Sequence, residues 1–198
     1  MKIYDISQEV FSCKVYPGDP APEKVTVCSM DNGALYNLTK FSMCAHNGTH
    51  IDAPSHFIKD GDNVDDLPLE KTVGKCYVAE VFEDIDKEGA QSIIRRARST
   101  DPESAKRIII KGGGVVTAEA AKVFAENGVD LVGVESQSVG PVEAPMEVHL
   151  ILLGAKTVLL EGLRLQDVEE GEYFLCAAPI NLGGCEGAPV RAILMGDF

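Results

Sequence analysis

Residues 46 to 56 read His46-Asn47-Gly48-Thr49-His50-Ile51-Asp52-Ala53-Pro54-Ser55-His56 and hold three of the chain's four histidines. No other stretch limits the fold as much. Glycine tolerates positive φ, and proline fixes φ and removes a backbone donor, so Asn47-Gly48 and Pro54 turn the chain. Neither a continuous helix nor a plain strand can run through the segment. His50 and Asp52 are two residues apart, and an extended stretch points both to one side. His46 comes four residues before His50, across the Asn-Gly turn. Imidazole and carboxylate together form a ligand set suited to Zn²⁺, Mn²⁺ or Fe²⁺. The rest of the chain must hold this segment and complete its coordination.

The remaining sequence predicts a mixed α/β frame. Ile3 and Ile6 mark a first strand over 2–7. The run from Tyr16 to Pro22 (Tyr-Pro-Gly-Asp-Pro-Ala-Pro) is too rich in turn residues for regular structure and suits a lid or pocket wall. Period-two alternation predicts strands over 24–30 and 34–43 around the Asp31-Asn32-Gly33 turn, an antiparallel pair that delivers the chain to His46. Further strands are expected at 75–82, 107–111, 129–134, 156–161, 172–180 and 190–195, with a helix over 86–98. Thr117 can cap a helix running to about Glu126, where Asn127-Gly128 stops it. Pro145 can open another through Leu153, with Gly154 as its stop. Strand, glycine-rich loop, helix and strand over 107–134 make a βαβ unit, and the chain holds more strand than a simple doubly wound fold. Gly112-Gly113-Gly114 belongs to neither phosphate-binding glycine pattern and is read as allowing close backbone packing beside a pocket.

Composition excludes several partners. The net charge of -13 repels phosphate backbones and anionic membranes. Six cysteines include no CxxC pair, so no thiolate zinc knuckle is present. Neither a signal-peptide apolar run nor an 18-residue apolar stretch occurs. The expectation is one soluble cytoplasmic domain over 1–198 with mostly free thiols, in which Cys44, Cys76 and Cys176 act as small buried hydrophobes.

Two more residues attract attention in the second half. His149 sits on the apolar stretch Val148 to Ile151, where a hydrogen-bonded core histidine reads as well as a ligand. Glu161 ends the apolar run Thr157 to Leu160, and a carboxylate buried there needs a partner. An ion shared with His149 would provide one, and Asp52 has two oxygens with which to bridge two ions. His56 need not be a ligand; a neutral imidazole near a metal-activated water could act as general base and then protonate a leaving group. Ser42 and Ser55 lie in no GxSxG elbow, which disfavours a serine nucleophile.

At these residues the chain resembles the metal-dependent cyclase-like hydrolases that include bacterial kynurenine formamidase and isatin hydrolase. The pattern H-x-G-T-H-x-D-x-P-x-H is met in full by His46, Gly48, Thr49, His50, Asp52, Pro54 and His56. The likeness continues through Tyr16 to Pro20, Thr117 to Ala121, Gly128 to Gly133, His149 to Leu153, Glu161 to Leu163, Leu182 to Gly184 and Gly187 to Arg191. It implies that His46, His50 and Asp52 are metal ligands with Asp52 bridging, that His149 and Glu161 join a second ion, and that His56 is the catalytic acid/base. It also implies a swivelling β/β/α fold with a mixed, partly barrel-like sheet and flanking helices, one or two divalent ions with Zn²⁺ ahead of Mn²⁺, and a homodimer or larger homo-oligomer. Four positions depart from the family pattern: Glu135 replaces Asp, Gly140 replaces Asp, Gly162 replaces Asn, and Tyr16 stands where formamidases often carry Trp.

The function expected is hydrolysis of a small amide or cyclic amide at a non-peptide C–N bond, arylformamidase-like or isatin-hydrolase-like, by metal-activated water with His56 as general acid/base. The alternatives are a metal-dependent lyase or dehydratase acting on a small carbonyl compound, and a non-catalytic metal-binding protein.

Overall fold

Strands β5 (Val73–Glu80), β6 (Arg107–Lys111), β7 (Leu131–Val134) and β8 (Val158–Glu161) run parallel and carry apolar side chains on both faces. Such strands must be covered on both sides. The computed structural model describes residues 1–196. Helices α1 (Lys87–Thr100), α2 (Ala118–Glu126) and α3 (Met146–Gly154) connect these four strands in turn. The three βαβ crossovers lay their helices on one face, as one crossover hand requires. Antiparallel strands extend the sheet on both sides: β9 (Gly171–Cys176), β11 (Ile193–Gly196) and β1 (Lys2–Asp5) beyond β5, and β4 (His50–Asp52) and β10 (Gly187–Pro189) beyond β8. The order is β1-β11-β9-β5-β6-β7-β8-β4-β10.

Alternation along each strand sorts side chains between two cores. Tyr77, Ala79, Ile108, Ile110, Val132 and Leu159 meet Ile93, Ile94, Phe124 and Leu152 of the helices. Cys76, Val78, Ile109, Leu131, Val158 and Leu160 point the other way, toward Ile6, Ile51, Leu175, Ala188 and Leu194. The sheet curls around this second core as a half-barrel. Full burial of each large aliphatic side chain is worth about 1.5–3 kcal/mol.

Most expected elements appear near their expected bounds. Thr117 caps α2 by accepting the Ala120 N–H, and Asp86 caps α1 by accepting the Gly89 N–H. Strands β2 (Glu23–Cys28) and β3 (Leu38–Ser42) form a separate antiparallel ribbon leading toward His46. Others differ. The strand expected over 172–180 stops at Cys176, one rung before the Ala177 N–H meets the Thr72 carbonyl, and Pro179 has no N–H with which to continue it. The last strand begins at Ile193, because the Val190 N–H is spent on the Thr49 carbonyl. β4 and β10 have three residues each, too few to show a period. Cys76 is buried as expected, but Cys44 and Cys176 are only half-buried. All six cysteines are free. The triple glycine does allow close packing, since a Cβ on Gly112 would lie 2.6 Å from the Val81 carbonyl oxygen, but it lines no part of the cavity described below. No helix is long and apolar enough to cross a membrane among the described residues.

Glu135, at the exit of β7, ties this frame together. Its Oε2 accepts the Gly112 N–H at 2.8 Å and its Oε1 accepts the Leu165 N–H at 3.0 Å. One carboxylate thus joins the loops that follow β6 and β8. Glu135→Ala leaves both donors without this partner and should destabilise the fold by about 1–3 kcal/mol in denaturant titrations. Unchanged stability would refute this bridging role.

Candidate metal centre

The register of β4 against β8 builds the centre. His50 pairs with Glu161, Ile51 with Leu160 and Asp52 with Leu159. His50, Asp52 and Glu161 therefore share the face that α3 covers, while Ile51 and Leu160 enter the opposite core. From α3, His149 comes onto the same face. The turn after β3 brings in His46. His56 ends the 3-10 turn Pro54–His56 beside them.

Backbone carbonyls fix the orientation of two imidazoles. His50 Nδ1 lies 3.0 Å from the Gly48 carbonyl, and His149 Nδ1 lies 2.8 Å from the Pro145 carbonyl. A carbonyl only accepts, so both rings carry hydrogen on Nδ1 and turn Nε2 inward. Gly48 reaches its place with φ +71°, a conformation that favours glycine.

Two triads result. His46 Nδ1 is 2.8 Å and His50 Nε2 3.3 Å from Asp52 Oδ1. His149 Nε2 is 3.6 Å from Asp52 Oδ2 and 3.4 Å from Glu161 Oε1. Within each triad, His46–His50–Asp52 and Asp52–His149–Glu161, one donor atom per residue lies within 4.8 Å of the others. Asp52 belongs to both, one oxygen to each. It is 1% exposed, and its Oδ2 has no hydrogen-bond partner among the described residues. A buried carboxylate without a matching charge is costly, and a divalent cation supplies that charge. Imidazole nitrogens and carboxylate oxygens at these separations fit such an ion.

Without an ion the carboxylates hold protons on the rings. Burial alone would push His50 and His149 down, but hydrogen bonds and charge from Asp52 and Glu161 outweigh it and raise both to about 10. His46 is raised as well, with Asp52 overcoming burial. Burial pushes Asp52 up, yet the surrounding imidazoles of His149, His46 and His50 hold it well below the usual carboxylate range. His56 is different. It makes no ion pair among the described residues, stacks on His46 with ring centres 4.2 Å apart, and is lowered chiefly by burial.

All six sequence-derived residues thus gather in one place. Others carried no usable signal. Glu186 Oε1 lies 3.3 Å from His46 Nε2, the nitrogen turned away from Asp52. Gly187 lies under the same ring: a Cβ there would fall 2.7 Å from His46 Cε1. The segment from Gly187 to Arg191 stood out in the sequence, but nothing linked it to His46. Phe57 packs against His149 at 4.7 Å. The cavity beside the triads has a volume of about 210 Å³, and the Tyr16 segment forms part of its wall, as its turn-rich sequence suggested. The Tyr16 hydroxyl donates to the Val142 carbonyl at 2.9 Å. Of the family departures, Gly162 has φ +73° and lies against Gln8 and the Gly48 carbonyl, and Gly140 packs on Val148 of α3. Gly162 makes room for the Gly48 backbone, and Gly140 for the Val148 side chain.

The chain is similar to several known proteins. Residues 4–141 match the family model Cyclase, described as "Putative cyclase". The chain is 33% identical over 210 residues to the kynurenine formamidase of Salinibacter ruber, covering 98% of this chain and 97% of that protein. It is similar to the solved structure of a potential metal-dependent hydrolase with cyclase activity, with a TM-score of 0.80 and 28% identity over 98% of this chain and 96% of the other. It shares its fold with isatin hydrolase A of Ralstonia solanacearum, with a TM-score of 0.81 and 19% identity over 98% and 91% of the two chains.

Two outcomes are expected. Gly187→Ala displaces the His46 ring and should lower the affinity for Zn²⁺ at least about tenfold in chelator competition, as loss of support around a ligand does. Wild-type affinity would contradict the role of Gly187. Second, an ion must displace the protons that His50 and His149 retain up to about pH 10. Affinity should therefore rise with pH from 6.5 upward, with proton release visible by calorimetry in buffers of different ionisation enthalpy. Proton-independent binding would contradict the two triads.

Proposed function

The chain belongs to the cyclase family, and on that premise we propose that it is a metal-dependent hydrolase of a small amide or cyclic amide, its divalent ions held by His46, His50, Asp52, His149 and Glu161. The observation that carries this reading is the shared carboxylate of Asp52, buried where two triads meet with one oxygen unpaired, its partners His46, His50, His149 and Glu161 lining a small cavity. The kynurenine formamidase relative, similar over nearly the whole length, supports amide C–N cleavage. Mixed imidazole and carboxylate donors favour Zn²⁺, with Mn²⁺ second.

When bound, the ion acidifies a water molecule and stabilises negative charge on the carbonyl oxygen under attack. The protein's own groups do the rest. His56 is neutral at pH 7, lines the cavity and is fixed by stacking on His46. It takes the proton of the attacking water and returns it to the leaving nitrogen. Glu186 accepts the hydrogen of His46 Nε2 and so keeps Nδ1 turned toward Asp52. Tyr16 and Phe57 wall the cavity with aromatic surface, and its small volume suits a single small ring system. The β2–β3 ribbon exposes Val25, Val27, Leu38 and Phe41, which supports a homodimer or larger assembly that covers them.

His56→Ala should retain the metal content of the wild type and lose about 10²- to 10⁴-fold in kcat/KM. His50→Ala should lose metal. The assay is hydrolysis of N-formylkynurenine, isatin and simple lactones with Zn²⁺ and Mn²⁺ added separately. Equal metal loss in the two variants would overturn the separate role of His56. A fully loaded protein that turns over none of these compounds would overturn the hydrolase reading.

A further inference from the structure

The β4–β8 register ends on the pair His50 and Glu161, so the last rung of this ladder carries one residue from each triad. His50 Nε2 lies 3.5 Å from Glu161 Oε2. A terminal rung opens more easily than an interior one. Just beyond it, Thr49 and Gly162 are joined through a side chain. Thr49 Oγ1 donates to the Gly162 carbonyl at 2.7 Å and accepts the Gln8 N–H at 2.9 Å. Gln8 Nε2 donates to the same Gly162 carbonyl at 2.7 Å. Gln8, in the segment after β1, thus closes a ring of three hydrogen bonds over the end of the rung.

The ring has fixed supports. Ile6 is fully buried; its N–H donates to the Ala192 carbonyl at 3.1 Å and its carbonyl accepts the Arg164 N–H at 2.9 Å. Thr49 is buried, and its carbonyl accepts the Val190 N–H at 3.0 Å. The Gly162 N–H donates to the Ser136 carbonyl at 2.8 Å. On its other side Gly162 is close to the Gly48 carbonyl oxygen, which a Cβ would approach to 2.5 Å and which also holds His50 Nδ1. A displaced Gly162 would therefore disturb Glu161 through the chain and His50 through Gly48.

The Gln8 amide is oriented at a cost. Its Oε1 is buried and has no hydrogen-bond partner among the described residues. The reverse orientation would set that oxygen against the Gly162 carbonyl, acceptor facing acceptor. The amide keeps its donor on Gly162 and leaves its own acceptor unpaired.

We propose that Gln8 is a positioning residue of the metal centre: with Thr49 it fixes the Gly162 carbonyl and so sets the spacing between His50 of one triad and Glu161 of the other. This rests on the metal-binding reading of the triads. Gln8 belongs to neither triad and lines no part of the cavity beside them, so it acts through Gly162 and not by touching an ion or a substrate. Hydrogen bonds at one remove from the ligands orient them, and their loss weakens metal binding even when every ligand is intact.

The test uses Gln8→Met, which keeps the length of the side chain and removes its donor. It also sets Thr49→Val, which removes the hydroxyl, against Thr49→Ser, which keeps it. Gln8→Met and Thr49→Val should each weaken Zn²⁺ binding at least about tenfold in chelator competition. Both should shift the visible absorption bands of the Co²⁺-loaded protein, which follow ligand geometry. Thr49→Ser should match the wild type in Zn²⁺ affinity and in band position. A merely structural residue would lower the Tm of the metal-free protein, while the folded variant kept the wild-type Zn²⁺ affinity and Co²⁺ bands; that result would overturn the proposal. If Gln8→Met fails to fold, the threonine pair decides, and equal Zn²⁺ affinity of Thr49→Val and Thr49→Ser would overturn it. A wild type that takes up no Zn²⁺ removes the metal reading together with this inference. Tight wild-type binding that Gln8→Met leaves unchanged removes this inference alone.

Discussion

The Asp52 carboxylate is the group to which the rest of the structure answers. It is almost wholly buried, it faces three imidazoles, and its Oδ2 finds no hydrogen bond among the described residues. Water would solvate such a charge; this position withholds water and surrounds it with imidazoles that could serve as metal ligands on losing a proton. Glu161, equally buried, adds the second acid. Two acids and three imidazoles in one dry place leave a charge that divalent cations can balance.

The sheet makes that arrangement possible. A short strand next to the sheet edge, β4, is clamped between β8 and β10, so its three side chains cannot shift register without moving Ile51 out of a filled core. The same pairing that buries Ile51 and Leu160 on one face presents His50, Asp52 and Glu161 on the other. Helix α3 then closes over that face and brings His149, while its Val148 packs against Gly140. The half-barrel curl gives β4 and β10 a core of their own, which a flat doubly wound sheet would not. Stability and site geometry are therefore set by the same pairs.

Much of this was legible before any fold was known. The parallel strands announced themselves as β-branched runs, and Thr117, Asn127-Gly128 and Pro145 marked helix ends by local chemistry. His46, His50, Asp52 and His56 stood out because ligand-type residues rarely crowd so closely. Glu161 was visible as an acid closing an apolar strand. His149 was not separable on local grounds from a core histidine. Glu186 gave no warning, and Gly187 lay in a segment that stood out but with nothing to link it to His46, since each acts on a residue distant in the chain and sits in a loop or a strand too short to show a period. The triple glycine misled in one respect: its tight backbone serves the junction with Val81 and Glu135, away from the cavity.

The segment from His46 to His56 determined the chemistry on its own, because donor type and turn residues are local properties that survive without tertiary contacts. The β-branched and apolar runs likewise determined where the parallel strands would lie. What only the tertiary structure decided was partnership. The β4–β8 register set His50 opposite Glu161 across a gap of more than a hundred residues. Packing of α3 chose the ring nitrogen that His149 turns inward, and the approach of β10 placed a glycine beneath His46. Such contacts depend on sheet curl and on which core each face must fill, and those are sums over the whole chain rather than properties of any one stretch.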